Sequence, residues 1–130
     1  MIIAILGSQN NKREQDWLSH WTYEFERIGS EVLVNPKVAS LATADALVLL
    51  SDGRISEPDI YLSLGYFYHL KEQERRSPKR LIVAFNETGN FPASLELYFD
   101  HITSTEKGLI NTLKDYLYFS NKNVQSQSHN

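Results

Sequence analysis

The sequence predicts a small α/β domain built on a doubly wound, mainly parallel five-stranded sheet with helices on both faces. Three observations lead there. Apolar runs of strand length at residues 2–6, 44–50 and 81–85 each break off at polar residues, as strands buried on both faces do when they emerge into loops. Segments with apolar residues at helical spacing alternate with these runs, the order expected of a parallel sheet with crossover helices. A length of 130 residues suffices for one core and not for two.

Residues 2–6 are read as the first strand, feeding the polar turn Gly7-Ser8-Gln9. From Lys12 to Ile28, the residues Trp17, Trp21, Phe25 and Ile28 recur at helical spacing, and Gly29 stands where a C-cap is expected. Residues 31–36 follow as a second strand closed by Pro36, so the first β-α-β unit returns in parallel. Residues 44–50 are the third strand, expected at the sheet centre.

A second helix is expected to start near Glu57-Pro58-Asp59, where proline is tolerated and carboxylates complement the dipole, and to run to Glu74. It carries apolar residues on both sides (Ile60, Tyr61, Leu62, Leu64, Tyr66, Phe67, Tyr68, Leu70), more than one sheet face covers. A second subunit is the expected further partner, so a homodimer or higher homo-oligomer is anticipated. Residues 81–85 form the fourth strand, a short helix follows Pro92, His101-Ile102-Thr103 is an edge strand, and residues 106–119 close the fold with Leu109, Ile110, Leu113 and Leu117 on one face. The domain is therefore 1–119, and residues 120–130, rich in Asn, Gln and Ser, are expected to be a disordered tail.

This flavodoxin- or Rossmann-like order places ligands outside the carboxyl ends of the strands, where the strand order reverses. The residues so selected are Gly7, Ser8, Gln9, Ser51, Asp52, Gly53, Asn86 and Glu87.

Composition narrows the partners. The chain is 42% hydrophobic and 22% charged with a net charge of -3, and it has no basic stripe of the kind that grips nucleic acid. Arg75, Arg76, Lys79 and Arg80 around Pro78 read as a helix end, where cations complement the dipole. No run approaches the roughly 20 apolar residues that span a bilayer, and residues 1–6 lack a leading positive charge, so they read as a strand and not a signal peptide. Neither nucleic acid nor membrane is an expected partner. The absence of cysteine excludes disulfides and thiolate sites and fits a cytoplasmic location. His20, His69, His101 and His129 have no metal-ligand spacing, so no metal and no cofactor is expected.

Two stretches carry candidate chemistry. In Gly7-Ser8-Gln9-Asn10-Asn11, backbone amides and the dipole of the following helix offer an anion site; the competing reading is a plain tight turn. The stretch has neither the G-x-G-x-x-G nor the P-loop pattern, so dinucleotide or Mg-ATP binding of those kinds is not indicated. The second stretch runs from Ala44-Asp45 through Leu50-Ser51-Asp52-Gly53 to Glu57-Pro58-Asp59 and Ser63-Leu64-Gly65-Tyr66.

That second stretch resembles the nucleoside 2-deoxyribosyltransferase family, in which a strand preceded by Ala-Asp ends in Asp-Gly and leads to a helix bearing an acid, a Glu and then Leu/Ile-Gly-Tyr. The likeness covers most of residues 1–85, including the Trp-containing first helix and Val34-Asn35-Pro36. It implies cleavage of the N-glycosidic bond of a deoxynucleoside by a Glu nucleophile, with a second carboxylate moving a proton to or from the base.

Three departures from the pattern matter. Ser63 stands where the family has its nucleophilic Glu, Glu57 stands where Asp is expected, and a further acidic position falls near Lys37. A serine hydroxyl without a partner base is a poor nucleophile near neutral pH. Asp59, one turn before Ser63, faces the same side of the helix; it reads first as a helix N-terminal charge and second as a candidate substitute acid. Asp52 and Gly53 are candidates for holding a sugar hydroxyl, the alternative being a common turn pair. Tyr66 is a candidate for base stacking, with core or interface packing as the alternative.

The leading expectation is thus a deoxyribosyltransferase-like protein that binds a nucleoside or nucleotide between strands one and three. Glu57, Asp59 and Ser63 are its candidate catalytic residues, and Gly7, Ser8, Gln9, Asp52, Gly53 and Tyr66 its candidate ligand contacts. The alternative is a catalytically inactive nucleotide-sensing or protein-interaction domain on the same scaffold. A receiver-like fold is disfavoured because Ser8-Gln9-Asn10 offers no paired acids after strand one.

Overall fold

The computed structural model describes residues 1–51, 58–87, 91 and 93–128, with side chains described through Asn121. In chain order, the elements are β1 (Ile2–Gly7), α1 (Lys12–Arg27), β2 (Glu31–Val34), a 3-10 helix (Val38–Thr43), β3 (Ala46–Leu50), α2 (Pro58–Gln73), β4 (Leu81–Phe85), α3 (Ala93–Glu96), β5 (His101–Thr103) and α4 (Glu106–Ser128).

The strands form one five-stranded sheet in the order β2-β1-β3-β4-β5, and every neighbouring pair is parallel. β3 is the central strand, and the order reverses between β1 and β3, as the sequence led one to expect. The register explains the continuous apolar runs. Because side chains alternate across a strand, Ile3, Ile5, Ala46, Val48, Leu50, Leu81, Val83 and Phe85 face α1 and α4, whose Leu18, Trp21, Phe25, Leu109, Leu113 and Tyr116 complete that core. Ala4, Leu6, Leu47, Leu49, Ile82 and Ala84 face the other way, onto Ile60, Leu64 and Phe67 of α2, Leu95 of α3 and Leu41 of the 3-10 helix. Both faces of the sheet are covered, so no strand of the centre needs a polar side.

α1 starts at a built cap. Asn11 is extended and its side chain accepts a hydrogen bond from the otherwise orphan Glu14 N–H, while Asn11 Nδ2 donates back to Glu14 Oε1 at 2.7 Å. Its end is equally local, since Gly29 takes a φ of +88°, the left-handed conformation that glycine adopts without a Cβ penalty.

Two details of α4 differ from the sequence reading. On α4, Tyr116 and not Leu117 completes the buried stripe, because its hydroxyl can reach Lys79 O at 2.8 Å and a buried tyrosine is admissible only with such a partner. The same helix continues past Phe119 to Ser128, where a disordered tail was expected from residue 120. No Gly or Pro interrupts residues 120–128, so nothing local stops propagation once packing has nucleated the helix.

Candidate functional site

The two ends of the sheet treat their polar groups differently. At the amino ends, they are spent on one another. Asp45, just ahead of β3, donates its N–H to Ile2 O at 2.8 Å and accepts the Ile2 N–H on its carboxylate at 2.8 Å. Asp100, just ahead of β5, does the same to Ile82. Each carboxylate stands in for the strand residue that the ladder lacks.

Around Asp45 the basic cluster is laid out. Arg76 Nη2 binds the Asp45 carboxylate at 2.9 Å. Arg80, only 6% exposed, grips Glu74 with Nε and Nη2 at 2.8 and 2.6 Å and gives Nη1 to Ala44 O at 2.6 Å. The sequence reading placed these cations at the end of the second helix. α2 stops at Gln73, so the cluster lies beyond it, and Arg80 instead serves carbonyls at the end of the 3-10 helix.

Burial pushes the Asp45 carboxyl upward, but the Ile2 N–H and Arg76 outweigh it and hold the group below its usual range. Hydrogen bonding to Arg80 lowers Glu74. These groups are committed to the fold.

At the carboxyl ends the arrangement opens. β2 is continued by Asn35, whose N–H reaches Ile5 O at 2.8 Å and whose φ is +43°, a conformation in which Asn is several-fold enriched. Its side-chain amide then closes on Gly7, Oδ1 accepting the Gly7 N–H at 3.0 Å and Nδ2 donating to Gly7 O at 2.8 Å. The chain therefore leaves β1 and β2 as two tied loops.

Between these loops and the start of α2 lies a cleft of about 490 Å³, lined by Leu6, Gly7, Gln9, Asn10, Asn35, Pro36, Lys37, Val38, Asp59, Ile60, Leu62 and Ser63. A volume of this order suits a small-molecule site. Four of its polar side chains are uncommitted. Among the described residues, the side chains of Gln9, Lys37, Asp59 and Ser63 make no hydrogen bond or ion pair. Ser63 is only 6% exposed, and it still lines the cleft. Lys37 and Asp59 put one charge of each sign into the same cleft without pairing.

A second groove of about 490 Å³ runs along the polar side of α1 beside Val34, past Gln15, Ser19, Thr22 and Tyr23. It meets the cleft only at Gln9. It lies away from the strand ends, and Thr22 is already committed to Leu18 O at 2.7 Å.

Of the residues singled out from the sequence, Gly7, Gln9, Asp59 and Ser63 come together in the cleft. Ser8 does not line it. Nor does Tyr66, which packs partly buried against the core under α2 together with Tyr68, Tyr98 and Phe99; each helical turn carries the chain about 5 Å along the axis, away from the strand ends. Asp52, Gly53 and Glu57 lie outside the described residues. Sequence reasoning passed over Asn35, Pro36 and Val38 as site residues, and it read Lys37 only as a departure from a family pattern. The signal for Asn35 was present: an Asn between a strand and a proline is a turn residue that tolerates positive φ.

Among the described residues, no group of three or more His, Asp or Glu is placed to hold a metal ion, and no helix is long and apolar enough to cross a membrane.

No family model matches the chain, and no curated protein matches it. Among solved structures, a conserved protein from Enterococcus faecalis V583 superposes with a TM-score of 0.71 at 11% sequence identity, over 89% of this chain and 98% of that one. At that identity the likeness establishes the α/β fold and leaves the site to be argued from its own residues.

Proposed function

We propose that this chain binds a nucleoside or nucleotide in the cleft at the β1/β3 switch point, as a divergent deoxyribosyltransferase-like protein. The observation that carries the reading is the meeting of Gly7, Gln9, Asp59 and Ser63 on one cleft, at the place where open parallel sheets hold their ligands. Gly7 offers the cleft backbone alone, its Cβ position facing Leu18 in the core. Gln9 and Ser63 supply uncommitted groups for sugar hydroxyls or a base edge, and Asp59 supplies an acid or base.

Any turnover would break the N-glycosidic bond, deliver a proton to the departing base and transfer the sugar to water or a second base. Asp59 is the described carboxylate placed to move that proton, with Glu57 as the neighbouring candidate. Ser63 is a poor replacement for a carboxylate nucleophile, because its pocket contains no described histidine to take its proton. That favours binding over turnover, and with it the alternative of a nucleotide-sensing domain. α2 also leaves Tyr61 and Leu62 42% and 65% exposed, and a second copy of the chain is the partner we assign to that surface.

The test pairs thermal shift with chromatography of free base over a panel of deoxynucleosides and their 5′-monophosphates. Stabilisation by a member of the panel is expected. Base release that is lost in Asp59→Asn, with stabilisation retained, identifies an enzyme; stabilisation without base release identifies a binding protein. A panel that leaves the melting temperature unmoved overturns the reading.

A further inference from the structure

We infer that the cleft is a two-signed site that selects a phosphorylated ligand, with Lys37 anchoring the phosphate and Asp59 and Ser63 meeting the hydrogen-bonding end. This inference rests on the proposed nucleoside or nucleotide reading of the same cleft and names the form of ligand it takes.

The charges are the starting point. Lys37 and Asp59 both line the cleft, yet neither makes an ion pair among the described residues. At the opposite end of the sheet, Arg76 and Arg80 are both paired. Two opposite charges that share a cleft and stay apart leave each available to a ligand that spans them, and such a ligand has an anionic end and a hydrogen-bond-donating end.

The anionic end belongs on the Lys37 side. Lys37 follows Asn35, which is tied to Gly7 by two hydrogen bonds, so the ammonium is carried on the loop bound to the β1–α1 connection. That connection enters the amino end of α1, whose dipole adds positive potential. The opposite sign comes from Asp59 in the first turn of α2.

Ser63 is the independent sign that a ligand is meant to sit there. Its residue is 94% buried by the 6% exposure it retains, it lines the cleft, and its hydroxyl has no partner among the described residues. A hydroxyl presented to a cleft by a buried residue takes its hydrogen bonds from water or from a ligand there, and a sugar hydroxyl supplies them from within the cleft. A lysine holds phosphate as a point charge, so discrimination should rest on charge and not on bidentate geometry.

Binding of three probes to the full chain tests this at constant ionic strength: a 2′-deoxynucleoside, its 5′-monophosphate, and 2-deoxyribose 5-phosphate. Lys37→Gln and Lys37→Arg are compared with the unaltered protein; Lys37 is exposed, so both variants should fold. The monophosphate is expected to bind at least about tenfold more tightly than the nucleoside. Lys37→Gln should bring the two within about threefold, and Lys37→Arg should restore most of the gap. Ser63→Ala should weaken nucleoside and monophosphate alike, leaving their ratio unchanged.

Equal binding of nucleoside and monophosphate, or a preference that survives Lys37→Gln, overturns the phosphate anchor while leaving the nucleoside reading standing. Binding of the sugar phosphate, lost in Lys37→Gln, without binding of the nucleoside or the monophosphate supports the anchor and overturns the nucleoside reading. No binding by any of the three overturns both.

Discussion

The side chain of Asn35 completes the last rung of the β1–β2 ladder by bonding both the N–H and the carbonyl of Gly7, at 3.0 and 2.8 Å. A side-chain amide has the same donor and acceptor as a peptide, and here it replaces the strand residue that β2 no longer supplies. The backbone of Asn35 has meanwhile turned to a φ of +43°, which sends Pro36 and Lys37 over the cleft.

Removal of that bracket has a graded outcome. Asn35→Ala loses both bonds and keeps an unfavourable left-handed backbone, so a loss of about 2–3 kcal/mol is expected. Asn35→Gly loses the same bonds but relieves the backbone, and should cost about 1 kcal/mol less. Urea denaturation of the two variants checks the order; an Ala variant as stable as the Gly variant would mean the positive φ carries no cost.

Arg80 is the second residue whose removal should be felt throughout the fold. It is buried, it holds Glu74 with two nitrogens, and it supplies the donor for Ala44 O; its guanidinium also lies 5.6 Å from the Phe67 ring centroid. Arg80→Met should cost about 3 kcal/mol, since a carbonyl and a carboxylate lose their partner together. Arg80→Met with Glu74→Gln should recover part of that loss, and a double-mutant cycle by chemical denaturation measures it.

Stability should fall at both ends of the pH scale. Asp45 and Glu74 are held below their ordinary values of 3.8 and 4.5. The native state therefore binds fewer protons than the unfolded chain in acid, and the stability these groups contribute is present above those values and lost as pH falls below them. Tyr116 is raised above 10.0, chiefly by burial. Its contribution is present below pH 10 and lost as pH rises past it. Thermal melts across pH should show both limbs, with Asp45→Asn flattening the acid one and Tyr116→Phe the alkaline one.

Gly65 lies inside α2 with no atom within 4 Å of where a Cβ would stand. Glycine in a helix interior costs roughly 0.5–1 kcal/mol relative to alanine. Gly65→Ala should accordingly stabilise an isolated chain by about that amount in denaturant titration. A loss of stability, accompanied by a change in oligomeric state by sedimentation, would mean that a partner packs against this face.

The order of strands and helices was readable from local pattern. Apolar runs such as 81–85 and the spacing of Trp21 and Phe25 report burial directly, because the period of a strand or helix is a property of neighbouring residues. From that order follows which ends of the strands to inspect, which is why Gly7 and Gln9 could be chosen without coordinates; Asp59 and Ser63 were chosen through the family resemblance, and all four line the cleft.

The commitments of the polar groups were not readable in this way. Asp45 bonds Ile2 across 43 residues, Arg80 bonds Ala44 across 36, and Asn35 bonds Gly7 across 28. No periodicity spans such distances, so a run like Arg75, Arg76, Lys79 and Arg80 looks like a solvated helix end until the chain has closed on itself. The same holds for Lys37, whose neighbours in sequence say nothing of the carboxylate it shares a cleft with. Burial is decided by the residue and its near neighbours, whereas pairing depends on which distant segment the sheet order brings alongside.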